Sequence, residues 1–214
     1  MWDLDGTIVD SEEYHWLSWR ETIAAEGVSI SYEQFLVSFG QRNDAIIPAW
    51  CPEASPRQIQ LIGDAKEVEF RRLVRERGIS ALPGVTAWIE RLGSGGWRQA
   101  IASSAPRANV DAILEAVGLG DHFGAVVSAA DVNRGKPEPD FFLAAAERLG
   151  VDPSRCIVVE DAAPGVEAAR RAGMRSIGVS RNTAKLAAAD ITVASLQDLP
   201  PDAFERLATQ SSLE

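Results

Sequence analysis

Residues 157–165 read Ile157-Val158-Val159-Glu160-Asp161-Ala162-Ala163-Pro164-Gly165. Three apolar β-branched residues run straight into two acids. Proline and glycine follow, and then a helical pattern to residue 172, closed by Gly173. This spells a buried strand that ends in charge and turns into a helix. The same order recurs around it. Residues 98–102 predict a short strand before a helix near 107–117, and residues 124–128 predict a second strand. A helix starts near Pro139 and stops at Gly150. Residues 156–159 are the third strand, 175–179 a fourth and 190–193 a weaker fifth. Strands alternating with helices of this length predict an α/β fold. It would be a doubly wound, mostly parallel, Rossmann-like sheet with both faces covered.

Upstream the rhythm differs. Residues 13–26, 32–39, 44–50 and 56–77 all read as helices, and Gly78 stops the last of them. Pairs four apart, such as Glu67 and Arg71, suit an exposed helix face. These helices read as an insertion that leaves the sheet after its first strand and returns through Ala81-Leu82-Pro83-Gly84. The expected organisation is a Rossmann-like core of residues 1–10 and 82–214 with an inserted helical cap of residues 11–81. Short segments near 10–13 and 79–83 would be the hinges, and closure would exclude bulk water. Trp16, Trp19, Phe35, Phe39 and Trp50 read as cap core.

The 214 residues carry a formal charge of −10, which argues against a nucleic-acid footprint. No apolar run is long enough for a membrane span. Asp3 stands where the apolar region of a secretory leader would begin. Cys51 and Cys156 are far apart and fit no zinc spacing. The expectation is a cytoplasmic protein with reduced thiols, a monomer or weak dimer.

Four places offer chemistry, each after a short apolar strand, so the sheet would bring them to one crevice. Asp3-Leu4-Asp5-Gly6-Thr7 alternates carboxylates, which is costly in a strand unless a cation compensates. Magnesium, which takes oxygen ligands, would do so; a solvated turn is the other reading. Ser103 and Ser104 follow residues 98–102 and can hold an anion, or simply cap the next helix. Lys136, between Gly135 and Pro137, can neutralise a phosphoryl group, or be an exposed loop cation. Glu160 and Asp161 add carboxylates for a metal, or an N-cap. The set is more specific than any member.

In this order, the motifs DLDGT, ASS, GKP and VVEDAAPG resemble those of the haloacid dehalogenase-like superfamily, in its β-phosphoglucomutase and sugar-phosphatase branch. The resemblance covers nearly the whole chain. It implies magnesium-dependent phosphoryl transfer through an aspartyl-phosphate. Asp3 would be the nucleophile and Asp5 the general acid/base. Ser103 would bind phosphate, and Lys136 would balance charge. Asp161, with Glu160 beside it, would join Asp3 and the main-chain carbonyl of Asp5 at the metal. His15 resembles a hinge histidine that helps position the acid/base, and Arg42 an arginine that grips a distal phosphate. Relatives of this family carry several apolar residues before the nucleophile, where this chain has Met1 and Trp2. That implies either a natural chain that starts earlier, or a short strand with a less firmly anchored Asp3.

Asp5 separates the chain from the dehalogenases and phosphonoacetaldehyde hydrolases of the superfamily, which lack it. A mutase would need cations where this chain has Phe39 and Pro106, although Arg107 stands near the second place. The reading is therefore a phosphatase of a small phosphorylated metabolite, a sugar or polyol phosphate. The alternatives are a β-phosphoglucomutase-type mutase and, in another class, a non-catalytic phosphoryl-binding or structural module. The presence of Asp5, Lys136 and Glu160-Asp161 argues against the last.

Overall fold

The computed structural model describes residues 1–38, 41 and 43–209. The chain divides into two compact units, residues 11–79 and, around them, residues 1–10 with 80–214.

The first unit is helical. It contains α1 (Glu12–Ala25), α2 (Tyr32–Ser38), α3 (Asn43–Trp50) and α4 (Pro56–Arg77). The start of α4 is written locally. Ser55 and Gln58 form a reciprocal capping box, and Pro56 occupies the first turn, where its missing N–H costs nothing. Gly78, at φ +70°, ends the helix. α1 packs against α4. Trp19, Ile23, Phe35, Ile46, Ile47 and Ile62 form the unit's own core.

One expectation fails here. Glu67, read as part of an exposed face, is buried. The buried stripe of α4 runs Ile62, Gly63, Lys66, Glu67, Phe70, Leu73, Val74, so both charges lie on its inward face. They are tolerated because they pair. Lys66 Nζ donates to Glu67 Oε1 at 3.0 Å, and Asn43 Nδ2 donates to the same oxygen at 2.7 Å.

The second unit is the α/β layer. It contains α5 (Val85–Ser94), β1 (Ala100–Ala102), α6 (Arg107–Val117), β2 (Ala125–Val127), α7 (Asp140–Leu149), β3 (Ile157–Glu160), α8 (Ala163–Arg171), β4 (Arg175–Val179), β5 (Ile191–Val193) and α9 (Ala203–Thr209). β1 pairs with β2, β3 with β4 and β4 with β5, all parallel. The first residues join the two groups. Trp2 bridges Ile101 on one side and Val159 on the other, both parallel. Trp2 N donates to Ala100 O, Ala102 N to Trp2 O, Asp3 N to Val159 O and Val159 N to Met1 O, at 2.9–3.0 Å. The layer therefore runs β2, β1, residues 1–3, β3, β4, β5, with Asp3 at the exit of the central position.

Alternation along the strands sends side chains to two faces. Met1, Ala100, Ala102 and Val158 pack with Phe141, Phe142, Ala145 and Ala168 from α7 and α8. On the other face, Trp2 and Trp88 contact the ring of Phe204. The Trp2 indole N–H donates to Gln99 at 2.9 Å, and Gln99 donates on to Ile89 O, so burial leaves no orphan donor there. After Asp5 the chain turns tightly: Gly6 N donates to Val9 O, and Ile8 N to Leu4 O. Ala81 belongs to this unit because it pairs antiparallel with Val9. Among the described residues, no helix is long and apolar enough to cross a membrane.

Candidate active site

Parallel strands end together, so their exits converge on one crevice. Residues 1–3 and β3 deliver Asp3, Glu160 and Asp161 to it. One carboxylate oxygen from each of the three lies within 4.8 Å of the other two. Lys136 enters from the loop after β2, whose Lys136–Pro137 bond is cis. Its ammonium donates to Asp3 Oδ1, and to Glu160 Oε2 at 2.7 Å. The same ammonium lies 5.1 Å from the centre of the Phe142 ring.

The remaining acceptors are set by short local contacts. Glu160 Oε1 receives the N–H groups of Asp161 and Ala162, at 3.2 and 3.1 Å. Thr7 Oγ1 donates to Asp161 Oδ1 at 3.0 Å. Gly6 has φ +87°, and a Cβ there would fall 2.2 Å from Asp161 Oδ2, so the close approach of the acids to the first turn needs glycine. Ser103, buried at the exit of β1, accepts from Ala105 N through Oγ at 3.1 Å. Its hydroxyl proton remains available to a ligand oxygen.

The electrostatics follow from burial. Asp3 is pushed well above the usual carboxylate range by desolvation and by Glu160, with Lys136 pulling the other way. Desolvation and Glu160 raise Asp161 from 3.8 to about 7, against the Thr7 hydrogen bond. Desolvation works against the Lys136 ammonium, but Asp3 and Glu160 together hold it above its ordinary value. With all three acids ionised, one ammonium leaves two negative charges, the complement of one divalent cation. The donors are all hard oxygens, which suits magnesium.

The other residues singled out from sequence lie as follows. Asp5 is half-buried at the start of the turn that follows Asp3. Ser104 is exposed beside Ser103. Arg107 starts α6 and donates to Asp111 one turn on, at 2.8 Å. His15 is on α1 of the helical unit, stacked on Phe70 with ring centroids 4.3 Å apart. Its Nδ1 lies 2.8 Å from Lys66 Nζ. An ammonium only donates, so Nδ1 is the acceptor and the ring proton sits on Nε2. Arg42 and Phe39 lie outside the described residues. Thr7 and Lys66 were not picked out by sequence reasoning. Lys66 had a usable signal: it falls midway between Ile62 and Phe70 on one helical stripe.

The fold and this acid–lysine centre are those of a hydrolase, and the comparisons agree. The model of haloacid dehalogenase-like hydrolases matches residues 1–173, and the chain belongs to that family. It is similar to the fructose-1-phosphate phosphatase YqaB of Escherichia coli K12, 32% identical over 183 residues, covering 84% of this chain and 94% of that one. It is similar to β-phosphoglucomutase of Bacillus subtilis 168, 30% identical over 208 residues, covering 93% and 90%. Among solved structures it resembles CbbY of Rhodobacter sphaeroides in complex with xylulose-1,5-bisphosphate, with a TM-score of 0.83 at 28% identity, covering 92% and 94%.

Proposed function

We propose that the protein is a magnesium-dependent phosphatase of small phosphorylated metabolites, with sugar or polyol phosphates as substrates. The observation that carries this reading is the Lys136 ammonium shared between Asp3 and Glu160 with Asp161 alongside. A lone carboxylate in water is a poor nucleophile toward a phosphate dianion. A carboxylate beside a fixed cation, facing a site that gathers positive charge, is a competent one.

Asp3 attacks phosphorus, and the bond to the ester oxygen breaks as Asp5 gives that oxygen a proton. The alcohol leaves and Asp3 carries the phosphoryl group. Asp5, now a carboxylate, takes a proton from water as the water attacks the same phosphorus. Inorganic phosphate leaves and Asp3 is restored. Lys136 stabilises charge on the phosphoryl oxygens, and Ser103 donates its hydroxyl proton to one of them. Asp3 and Asp161, with Glu160 and the main-chain carbonyl of Asp5, would hold magnesium, which supplies charge neutralisation and orientation when bound. The family resemblance supports a substrate-binding role for His15, Arg42, Ser104 and Arg107.

The sugar-phosphate preference is supported by two relatives, one named a fructose-1-phosphate phosphatase and one solved in complex with xylulose 1,5-bisphosphate. The test is phosphate release from a panel of sugar and polyol phosphates with magnesium, run beside an isomerisation assay on β-glucose 1-phosphate. Release from at least one ester, without isomerisation, is expected. Isomerisation without net release would make the protein a mutase.

A further inference from the structure

Lys136 must deliver its ammonium between two acids from a loop with little packing of its own. At Gly135 a Cβ would meet nothing within 4 Å. The loop is instead bracketed by ion pairs. Arg134 Nε and Nη2 donate to Asp140 Oδ1 and Oδ2 at 3.1 and 2.9 Å, a two-pronged pair that joins the two ends of residues 134–140 across Lys136. Glu138 Oε2 lies 3.5 Å from Arg134 Nη1, and Glu138 Oε1 accepts from Arg171 Nη1 at 2.8 Å. Arg171 is the last residue of α8, and its Nε is held by Glu167 at 2.7 Å. α8 is the helix that leaves Glu160 and Asp161. The loop is therefore tied once to the first turn of α7 and once to the far end of the helix that follows its own target acids.

These pairs face solvent; the Arg134 side chain is 62% exposed. Exposed pairs of this kind contribute little to global stability. A planar guanidinium fork does fix distance and direction, which a flexible lysine stem does not.

We propose that Arg134 and Arg171 are positioning residues. Through Asp140 and Glu138 they hold residues 134–140 so that the Lys136 ammonium stays between Asp3 and Glu160. The inference rests on the charge-balancing role proposed above for Lys136.

The sequence favours a direct test, because the chain has only three lysines, Lys66, Lys136 and Lys185. In protein with ¹⁵N-labelled lysine, the Lys136 ammonium signal is identified by its loss in Lys136→Ala. In Arg134→Ala and Arg171→Ala it is expected to move toward the signal of Lys185, which is exposed. Turnover of p-nitrophenyl phosphate with magnesium is expected to fall about 10-fold in kcat, with KM and Tm little changed, since small misplacements at a reacting centre are costly. Arg134→Lys keeps the charge but not the fork, and recovers only part of the rate.

An unmoved Lys136 signal and wild-type kcat in the Arg134→Ala/Arg171→Ala double variant would overturn the inference. A lowered Tm with the Lys136 signal unmoved would do the same, by making both arginines merely structural. Lys136→Ala separates the inference from the reading beneath it. If that variant turns over at the wild-type rate, the role of Lys136 itself falls. If it is slow while the double variant is not, the inference alone falls.

Discussion

Gly165, in the first turn of α8, lies so close to Glu160 that a Cβ at position 165 would sit 1.9 Å from Glu160 Oε2. That oxygen is the one that accepts from Lys136. The helix after the acids and the lysine from another loop thus meet at one carboxylate, and only a residue without a side chain leaves room for it.

Gly165→Ala is therefore expected to dislodge Glu160, and with it one of the two acceptors that hold the Lys136 ammonium. Turnover should fall by roughly 10- to 100-fold, since small displacements of a reacting constellation are costly. Alanine is a good helix residue, so the helix itself gains rather than loses. Steady-state kinetics beside a thermal melt checks this; unchanged turnover would mean that Glu160 has somewhere else to go.

Thr7→Val keeps shape and removes the hydrogen bond to Asp161. Thr7 is almost wholly buried, so water does not replace the donor. Asp161 is a proposed metal ligand, and losing a partner that orients such a carboxylate typically weakens metal affinity by about 10- to 100-fold. Magnesium titration of activity, or calorimetry, should show that weakening, with the fold retained.

Proton binding gives a pH prediction with a definite sign. Burial and Glu160 raise Asp161 from 3.8 to about 7, and Asp3 is raised in the same sense. A raised carboxyl binds more protons folded than unfolded. The metal-free protein therefore loses stability as pH climbs from about 4 to about 7. Magnesium needs the deprotonated acids, so its stabilisation grows over that window. It reaches about 2.7 kcal/mol when the free ion exceeds its dissociation constant about 100-fold. Thermal melts with magnesium and with chelator, at pH 5.5 and pH 8, should show the larger gap at the higher pH. An equal gap at both would contradict the assignment of these acids to the metal.

In the helical unit, Lys66→Met strips Glu67 of its buried ammonium partner and should cost about 3–5 kcal/mol. Glu67→Gln in the same chain removes the charge that Lys66 balanced, keeps an acceptor for Asn43, and should restore most of the loss. Urea denaturation of the single and double variants measures both terms.

Much of this architecture was legible in the sequence, because buried parallel strands are short apolar runs and the acids that follow them stand out. The bounds of α4 and α6 follow directly from Pro56 and Gly78, and from Arg107 and Gly118, and β4 matches the strand read over residues 175–179. α5 was not read, although Val85, Trp88, Ile89 and Leu92 mark its buried face. Its β-branched and aromatic start is ambiguous between strand and helix. Glu67 was placed outward because charge alone suggests solvent; its burial depends on Lys66 and Asn43, and pairing across elements is not written in a local pattern. Likewise, the four motifs pointed to one crevice, but the Thr7–Asp161 bond and the space Gly165 leaves for Glu160 required three dimensions.

The central claim is that Asp3 carries the phosphoryl group. The most direct measurement is acid quenching of the enzyme during turnover of a phosphate ester, followed by peptide mass spectrometry. The account predicts one phosphoryl group on the peptide bearing Asp3, removed by brief alkaline hydroxylamine and absent from an inactive Asp3→Asn protein. Full turnover by Asp3→Asn, or a covalent phosphoryl group found only elsewhere, would contradict it.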